Sequence, residues 1–184
     1  MVSLLRVTCT TLGTHLWCGI RSKIVHRYLR CAAANQRLVT QLKNLDVEFV
    51  TTEVFSTKLD ITDVVLDAIF GFSFRGDPRE PFKSALEALV TSRTRRYLPT
   101  VSVDIPSSWG VDSGKNESDL SKSFTPDVLL SLTAPKLGSR AFSGSHWLGG
   151  RFIDEATNHK YDLRLPKYPD TSQVVDITGV EPVY

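Results

Sequence analysis

The run VVLDAIFGFSF, residues 64–74, is almost wholly apolar but contains an aspartate at position 67. Because a strand in a protein core normally excludes a charge, Asp67 either has partners that satisfy it or ends the strand at a site that uses it. The run then breaks into RGDP, a composition typical of a loop. A short apolar strand of this kind is typical of a parallel sheet with helices on both faces.

From residue 35 onward, the apolar residues alternate between helical and extended spacing. The predicted helices cover residues 35–45 and 80–92, with a shorter helical turn at 154–161. The predicted strands cover residues 47–50, 63–70, 99–106, 127–133 and 146–153. Strands that alternate with helices predict a Rossmann-like α/β layer fold, in which ligands bind beyond the carboxyl ends of the strands.

Three of these strands have polar residues at or near their ends. Asp67 and the loop 71–77 belong to the first, Asp104 and Ser107 to the second, and residues 133–136 to the third. We expect these groups along one edge of the sheet. The glycines of the loop GFSFRGD could bring backbone N–H groups to a phosphate, although the loop matches neither GxGxxG nor a P-loop. A tight turn into the next helix is the alternative interpretation.

Asp104 ends an apolar strand and is followed by a rigid turn with Pro106 and Ser107. A carboxylate held in this way suits proton transfer or recognition of a sugar hydroxyl. The alternative is a structural aspartate that caps the next turn. The oxygen atoms of Asp67 and Ser107 would suit a hard cation rather than zinc.

The composition and the missing motifs exclude several classes of protein. Hydrophobic residues make up 41% of the chain and charged residues 23%, as expected for one soluble domain. A net charge of +2 gives no argument for DNA binding, and no apolar run reaches the ~20 residues that cross a bilayer. The absence of GxSxG, HExxH and GxGxxG disfavours a hydrolase, a metalloprotease and a dehydrogenase. We expect the histidines, which have no motif partner, to be surface or core residues: His15, His26, His146 and His159.

The first 34 residues differ from the rest. Residues 1–45 contain basic side chains but no acidic ones, and all three cysteines precede residue 32. This composition predicts either a mitochondrial presequence or an atypical segment without a targeting role. An odd number of cysteines without CxxC spacing predicts neither a disulfide framework nor a zinc site. We therefore divide the chain into an atypical basic segment, 1–34, and a folded domain, 35–184.

Four motifs occur in order: DAIFGFSFRGDPREPF, VSVDIPSSWGVDSGK, PDVLLSLTAPK and HWLGGRFI. Together they closely resemble the NAD(P)H-hydrate epimerase family, the YjeF N-terminal domain, over roughly residues 35–177. The resemblance implies a Rossmann-like three-layer α/β/α sandwich. It also implies an isomerase of metabolite repair, which interconverts the R and S forms of hydrated NADH or NADPH. The dinucleotide would then be the substrate and not a cofactor.

The resemblance also implies roles for individual residues. Asp104 would be the catalytic carboxylate and would also bind substrate. The residues implied to bind the substrate's phosphates form one loop: Gly71, Phe72, Ser73, Phe74, Arg75, Gly76 and Asp77. A potassium ion is the implied cofactor, with Asp67 and Ser107 as ligands, which would explain the aspartate within the apolar run.

Two features depart from the family pattern. The family has an earlier strand and helix with a loop reading approximately GNNGGDG, whereas here Gly13 and Gly19 are the only glycines before Gly71. We therefore expect the first β-α unit to be missing or replaced, which leaves the activity of this chain open. The alternative function is a non-catalytic dimerisation module, like the related domain of an mRNA decapping enhancer. Ser108 stands where the family usually has glycine, so its side chain is expected to crowd the turn.

The resemblance implies two partners. One is a second copy of the chain in a homodimer, and the other is functional coupling to an S-specific dehydratase of the same hydrates. We expect neither DNA nor a membrane as a partner. The expected location is the mitochondrion or the cytoplasm.

Overall fold

The computed structural model describes residues 2–12, 15–25 and 33–180. The chain divides into two compact units. The first contains Met1–Ile69 and Pro78–Thr100, and the second contains Phe70–Asp77 and Val101–Tyr184. Within the described residues, no helix is long and apolar enough to span a membrane.

The described part of the first unit contains four strands and three helices. The strands are β1 (Val2–Leu12), β2 (His15–Val25), β3 (Glu48–Val50) and β4 (Val64–Asp67), and the helices are α1 (Ala33–Asn44), α2 (Thr52–Leu59) and α3 (Phe82–Arg95). Strand β1 is antiparallel to both β2 and β4, and β2 is parallel to β3. The described residues before α1 therefore form a pair of antiparallel strands. This is the part of the chain in which we expected the first β-α unit to be missing or replaced.

The core of the first unit lies between α2 and α3, which pack against each other. Phe55 and Leu59 of α2 are fully buried, and so are Leu86 and Leu89 of α3. These pairs recur at the three- and four-residue spacing that brings side chains to one helix face. Arg96, directly after α3, donates from Nη2 to the Leu59 carbonyl at 2.6 Å, so it satisfies an acceptor at the end of α2.

The second unit places three parallel strand ends at one edge of a sheet. Its elements are β5 (Thr100–Val103, from Val101 onward), α4 (Asp119–Ser123), β6 (Val128–Leu132), a 3₁₀ turn (Leu137–Ala141), β7 (Ser145–Gly149), α5 (Glu155–Tyr161) and β8 (Val174–Asp176). Strands β5, β6 and β7 are parallel, and β8 is antiparallel to β7. The residues that follow β5 and β6 therefore lie side by side, where ligands bind in open α/β sheets.

The structure corrects the predicted limits of the strand at residues 63–70. That strand is β4, and it ends at Asp67, where the Ile69 N–H donates to the aspartate Oδ1 at 3.4 Å. An aspartate that accepts from the backbone two residues ahead starts a turn and stops the strand. Asp67 thus lies at the end of the strand and not in its middle.

Other predicted limits also change. The helix predicted at 80–92 is α3, which begins two residues later and runs to Arg95. The strand predicted at 99–106 ends at Val103, because the next residue turns the chain out of the sheet. Helix α2 and strand β8 were not predicted, since α2 contains serine and threonines of low helix propensity and β8 has only three residues.

Replacing Leu89 with alanine should lower the free energy of unfolding by about 2–5 kcal/mol, because the side chain is fully buried and its removal leaves a cavity. Urea denaturation followed by circular dichroism measures the change. Leu45→Ala is the matched control, since Leu45 is 72% exposed, and it should change the free energy by less than about 1 kcal/mol. Equal losses in the two variants would contradict the packing of α3.

Candidate functional site

Asp104 follows β5 and has a left-handed backbone conformation, with a φ of 73°. Its N–H donates to the Leu130 carbonyl of β6 at 2.8 Å, so the backbone is still held by the neighbouring strand as it turns. A non-glycine residue in this region costs about 1–3 kcal/mol and persists only where the surroundings fix it. Such positions cluster at active sites and ligand sites. The conformation therefore marks Asp104 as a functional candidate.

The Asp104 carboxylate is held from two sides. Its Oδ2 accepts a hydrogen bond from the Phe72 N–H at 2.7 Å, and its Oδ1 lies 2.7 Å from the Lys136 Nζ. Asp104 is 8% exposed, so these charge-assisted contacts stabilise a charge that water reaches only in part. A Cβ on Gly71 would lie 3.1 Å from Oδ2, so glycine lets the loop approach the carboxylate closely.

The loop 71–77 is anchored at its start and exposed beyond it. The Phe74 N–H donates to the Gly71 carbonyl at 2.9 Å, and the Phe70 and Phe74 rings stack with their centroids 4.0 Å apart. The other predicted phosphate-binding residues are exposed: Phe72, Ser73, Arg75, Gly76 and Asp77. The structure therefore brings Gly71 and Phe72 to Asp104 and presents the rest of the loop to solvent.

Lys136 belongs to the segment 133–136 that we expected along the polar edge, without a role of its own. It follows β6 as Asp104 follows β5, and its Nζ also donates to the carbonyls of Leu132 at 3.0 Å and Ala134 at 3.1 Å. Thr133, between these acceptors, has a φ of 67°. The sequence signal that could have found Lys136 is its position just beyond a parallel strand end next to that of Asp104.

Ser107 and Ser108 lie in the turn after Asp104, and both are fully buried. The Trp109 N–H closes this turn by donating to the Pro106 carbonyl at 3.0 Å. The buried Trp109 ring fixes the turn to the rest of the unit, because its Nε1 donates to the Phe124 carbonyl at 2.9 Å. Ser107 therefore lies in a fixed turn, and its role as a cation ligand stays a prediction.

Ser108 has a conformation and an environment that are unfavourable for a serine. Its φ is 82°, and its Oγ is buried without a hydrogen-bond partner. Both features are unfavourable for serine, and a glycine would avoid both.

Asp67 ends β4 in the first unit and is fully buried. Its carboxylate and the Ser107 hydroxyl offer the hard oxygen atoms that potassium prefers. Their joint binding of one ion stays a prediction. Within the described residues, no group of three or more His, Cys, Asp and Glu side chains is arranged to hold a metal ion.

His146 lies in β7 and is partly buried. Its Nε2 is 2.9 Å from the Ser131 Oγ, and its ring packs edge-on against Phe142. Burial lowers the pKa of His146 below its ordinary value of 6.5, although the negative charge of Asp176 opposes this change. His146 also borders two cavities of the second unit, of about 570 Å³ and about 510 Å³.

Residues 12–138 match the family described as YjeF-related protein N-terminus. The chain belongs to this family. All the predicted site residues of this YjeF-related domain, and Lys136, lie within the matched range. The predicted family is therefore confirmed.

Two relatives named NAD(P)H-hydrate epimerase show how much of the chain is shared. The protein from Mycosarcoma maydis is 52% identical over 153 residues, which are 80% of this chain and 56% of the relative. The protein from Schizosaccharomyces pombe is 42% identical over 169 residues, which are 90% of this chain and 68% of the relative. The YjeF-related chain thus spans a little over half the length of the first of them.

A solved structure gives the fold of the YjeF-related domain. The crystal structure of the yeast protein YNL200c matches with a TM-score of 0.70 and 34% sequence identity. The match covers 84% of this chain and 64% of the yeast chain. The predicted Rossmann-like α/β fold is confirmed.

Replacing Ser108 with glycine should raise the free energy of unfolding by about 1 kcal/mol, because it removes a left-handed side chain and an unpartnered buried hydroxyl. Thermal or urea denaturation measures the gain. Ser123→Gly, in the last turn of α4, is the control and should be neutral or destabilising, since glycine lowers helix stability. A loss of stability in Ser108→Gly would contradict the strain at this turn.

The pKa of His146 predicts a pH dependence of stability. Because its pKa is lower in the folded state, the unfolded chain binds the proton first as the pH falls below about 6.5. The contribution of neutral His146 is therefore complete above that pH and is lost below it. We expect His146→Gln to show a smaller drop in unfolding midpoint between pH 7.5 and pH 5.5 than the unmodified chain.

The control for this pH dependence is His159→Gln, at an exposed position of α5, which should retain the full drop. Circular dichroism melts at both pH values measure the three proteins. An unchanged drop in His146→Gln would show that the ring does not couple folding to protonation.

Proposed function

We propose that this chain is an NAD(P)H-hydrate epimerase, an isomerase that interconverts the R and S forms of hydrated NADH or NADPH. The observation that carries the proposal is the Asp104 carboxylate, which is nearly buried at a strand end and is held by the Phe72 N–H and the Lys136 ammonium. Relatives named for this activity, at 52% and 42% identity, support it.

The chemistry of the proposed reaction requires a proton to move without any change in oxidation state. Inversion at C6 of the nicotinamide ring proceeds by loss and return of the hydroxyl group or by opening and closing of the ring. Each route transfers a proton to or from a reacting atom, and the enzyme ends as it began. Asp104 is the carboxylate that we assign to this transfer, because its two contacts fix its orientation.

We assign the substrate's pyrophosphate to the loop 71–77. The N–H groups of Phe72 and Phe74 donate within the protein, so the remaining N–H groups of the loop would meet the phosphates. Gly76 has a φ of 80°, a conformation that glycine adopts without strain and that turns the backbone through the exposed part of the loop. Arg75, which is exposed, would add a positive charge.

Potassium is part of the proposal, with Asp67 and Ser107 as its protein ligands. Both side chains are fully buried and offer hard oxygen atoms. Carbonyl and hydroxyl oxygens would complete the set of ligands. A bound potassium ion would supply a fixed positive charge near the substrate.

The proposal extends to the partners and the location of the protein. Coupling to an S-specific dehydratase is included, because a repair reaction that equilibrates two epimers needs an enzyme that consumes one of them. A homodimer is also included. The mitochondrion and the cytoplasm are the two proposed locations.

A second candidate function is a non-catalytic dimerisation module. The observation that favours it is the scarcity of glycine ahead of Gly71, since Gly13 and Gly19 do not form the glycine-rich loop that the resemblance leads us to expect. The module retains the fold but would not accelerate epimerisation.

We expect the purified chain to accelerate equilibration of the R and S hydrates of NADPH above the spontaneous rate, and to do so faster in potassium chloride than in lithium chloride. Asp104→Asn should lower the turnover number by a factor on the order of 10² or more, because the amide cannot accept the proton. Chromatographic separation of the two epimers over time measures both effects.

Asp112→Asn is the control for this experiment, since it makes the same chemical change in the loop beyond Trp109, at an exposed position. It should leave the rate unchanged. A chain that forms dimers by analytical ultracentrifugation but equilibrates the hydrates no faster than buffer would reject the epimerase and favour the module.

A further inference from the structure

We propose that Lys136 is a positioning residue of the epimerase reaction, which holds the Asp104 carboxylate in the orientation that proton transfer requires. The inference rests on the proposed function and adds a residue to the same site. It follows from the contacts of the Lys136 ammonium, the rigidity of the backbone beneath it and the burial of the pair.

Three acceptors lie within hydrogen-bond distance of the Lys136 ammonium group. The acceptors are the Asp104 Oδ1 at 2.7 Å, the Leu132 carbonyl at 3.0 Å and the Ala134 carbonyl at 3.1 Å. Two of the three belong to the backbone just before the lysine itself. The head group is therefore tied to its own turn, and the aspartate is tied to the head group.

The backbone beneath Lys136 is fixed by the residues that follow it. The Ser139 N–H and Oγ both donate to the Lys136 carbonyl, at 2.9 Å and 2.7 Å. Gly138 donates to the Val111 carbonyl at 2.7 Å, and a Cβ there would lie 2.1 Å from the Gly110 carbonyl oxygen. No side chain fits at such a distance. The segment after β6 is therefore packed directly on the loop that follows Asp104.

The ion pair of Lys136 and Asp104 is largely shielded from solvent, so its loss should change how the carboxylate is held. The side chain of Lys136 is 19% exposed and that of Asp104 is 12% exposed. By contrast, Lys122 and Glu117 form a pair with the same 2.7 Å separation, but their side chains are 51% and 98% exposed. Exposed pairs contribute little, whereas removing one partner of a shielded pair leaves the other charge without compensation.

Lys136 and Phe72 restrain different oxygens of the Asp104 carboxylate. With both contacts the plane of the carboxylate is fixed, and with the Phe72 N–H alone it can rotate about its bond to Cβ. A misplacement of about 1 Å at a reacting group can lower a rate on the order of 10²-fold. Loss of Lys136 should therefore act on the chemical step more than on substrate binding.

The experiment uses the full 184-residue chain with the hydrates of NADPH and determines kcat and KM. We expect Lys136→Met to lower kcat roughly 10- to 100-fold with KM within about threefold of the unmodified value. Lys136→Arg keeps the charge and a donor for Oδ1, so it should recover a substantial part of the loss. Lys122→Met removes the exposed pair and should leave kcat unchanged.

A double-mutant cycle tests whether Lys136 acts through Asp104. In an Asp104→Asn background, Lys136→Met should have less than about a threefold further effect, because the carboxylate that it positions is already gone. Melting curves of every variant correct the rates for the folded fraction. If the methionine variant does not fold, Lys136→Gln, which also removes the charge but keeps a polar side chain, takes its place in the rate measurements and in the cycle.

The outcomes separate this inference from the proposed function. If the unmodified chain does not accelerate epimerisation, the proposed function fails and the role of Lys136 fails with it. If the unmodified chain is active and Lys136→Met has the same kcat, only the role of Lys136 is overturned. A loss that multiplies that of Asp104→Asn would also overturn it, because the lysine would then act on the substrate directly.

Discussion

The Asp104 carboxylate, almost buried at the end of β5, must have partners on both oxygens, and the second unit is arranged to supply them. A charge that is 8% exposed is unfavourable unless hydrogen bonds replace the lost water. One partner is the Phe72 N–H, which arrives on a loop that glycine allows to come close, and the other is the ammonium of Lys136. The two partners come from opposite sides in sequence, 32 residues before and 32 residues after the aspartate (104 − 72 and 136 − 104). The fold rather than any local motif therefore creates the site.

Three of the seven non-glycine residues with positive φ in the described part of the chain lie at the same edge. Asp104, Ser108 and Thr133 all have positive φ without being glycine, and all three follow the ends of β5 and β6. Each such residue costs about 1–3 kcal/mol, which the surrounding hydrogen bonds must offset. The Thr133 N–H, for example, donates to the Gly149 carbonyl at 2.8 Å, so β7 holds the turn that precedes Lys136. The Asp104 and Lys136 side chains that follow these two strands contact each other, whereas the Ser108 hydroxyl has no partner.

The sequence predicts the fold and the position of Asp104 at a strand end better than it predicts the contacts of the Asp104 carboxylate. Apolar runs with a period typical of strands locate β4, β5 and β6, and the strand-end rule selects Asp67, Asp104 and the segment with Lys136. It does not assign a partner to Asp104, because the contact depends on two residues turning into the left-handed region, and neither is glycine. Helix α2 was missed for a different reason: burial of Phe55 and Leu59 outweighs the low helix propensity of its serine and threonines.

The ion pair also matters for the charge of the proposed substrate. A hydrated dinucleotide carries a pyrophosphate, and an isolated carboxylate in the same site would repel it. Together Asp104 and Lys136 have no net charge, so the pair would repel the pyrophosphate less than a lone carboxylate would. An amide in place of Asp104 would also avoid repulsion but could not take a proton. Pairing the aspartate with a lysine at the ends of β5 and β6 therefore combines the proposed proton acceptor with tolerance of the proposed anionic substrate.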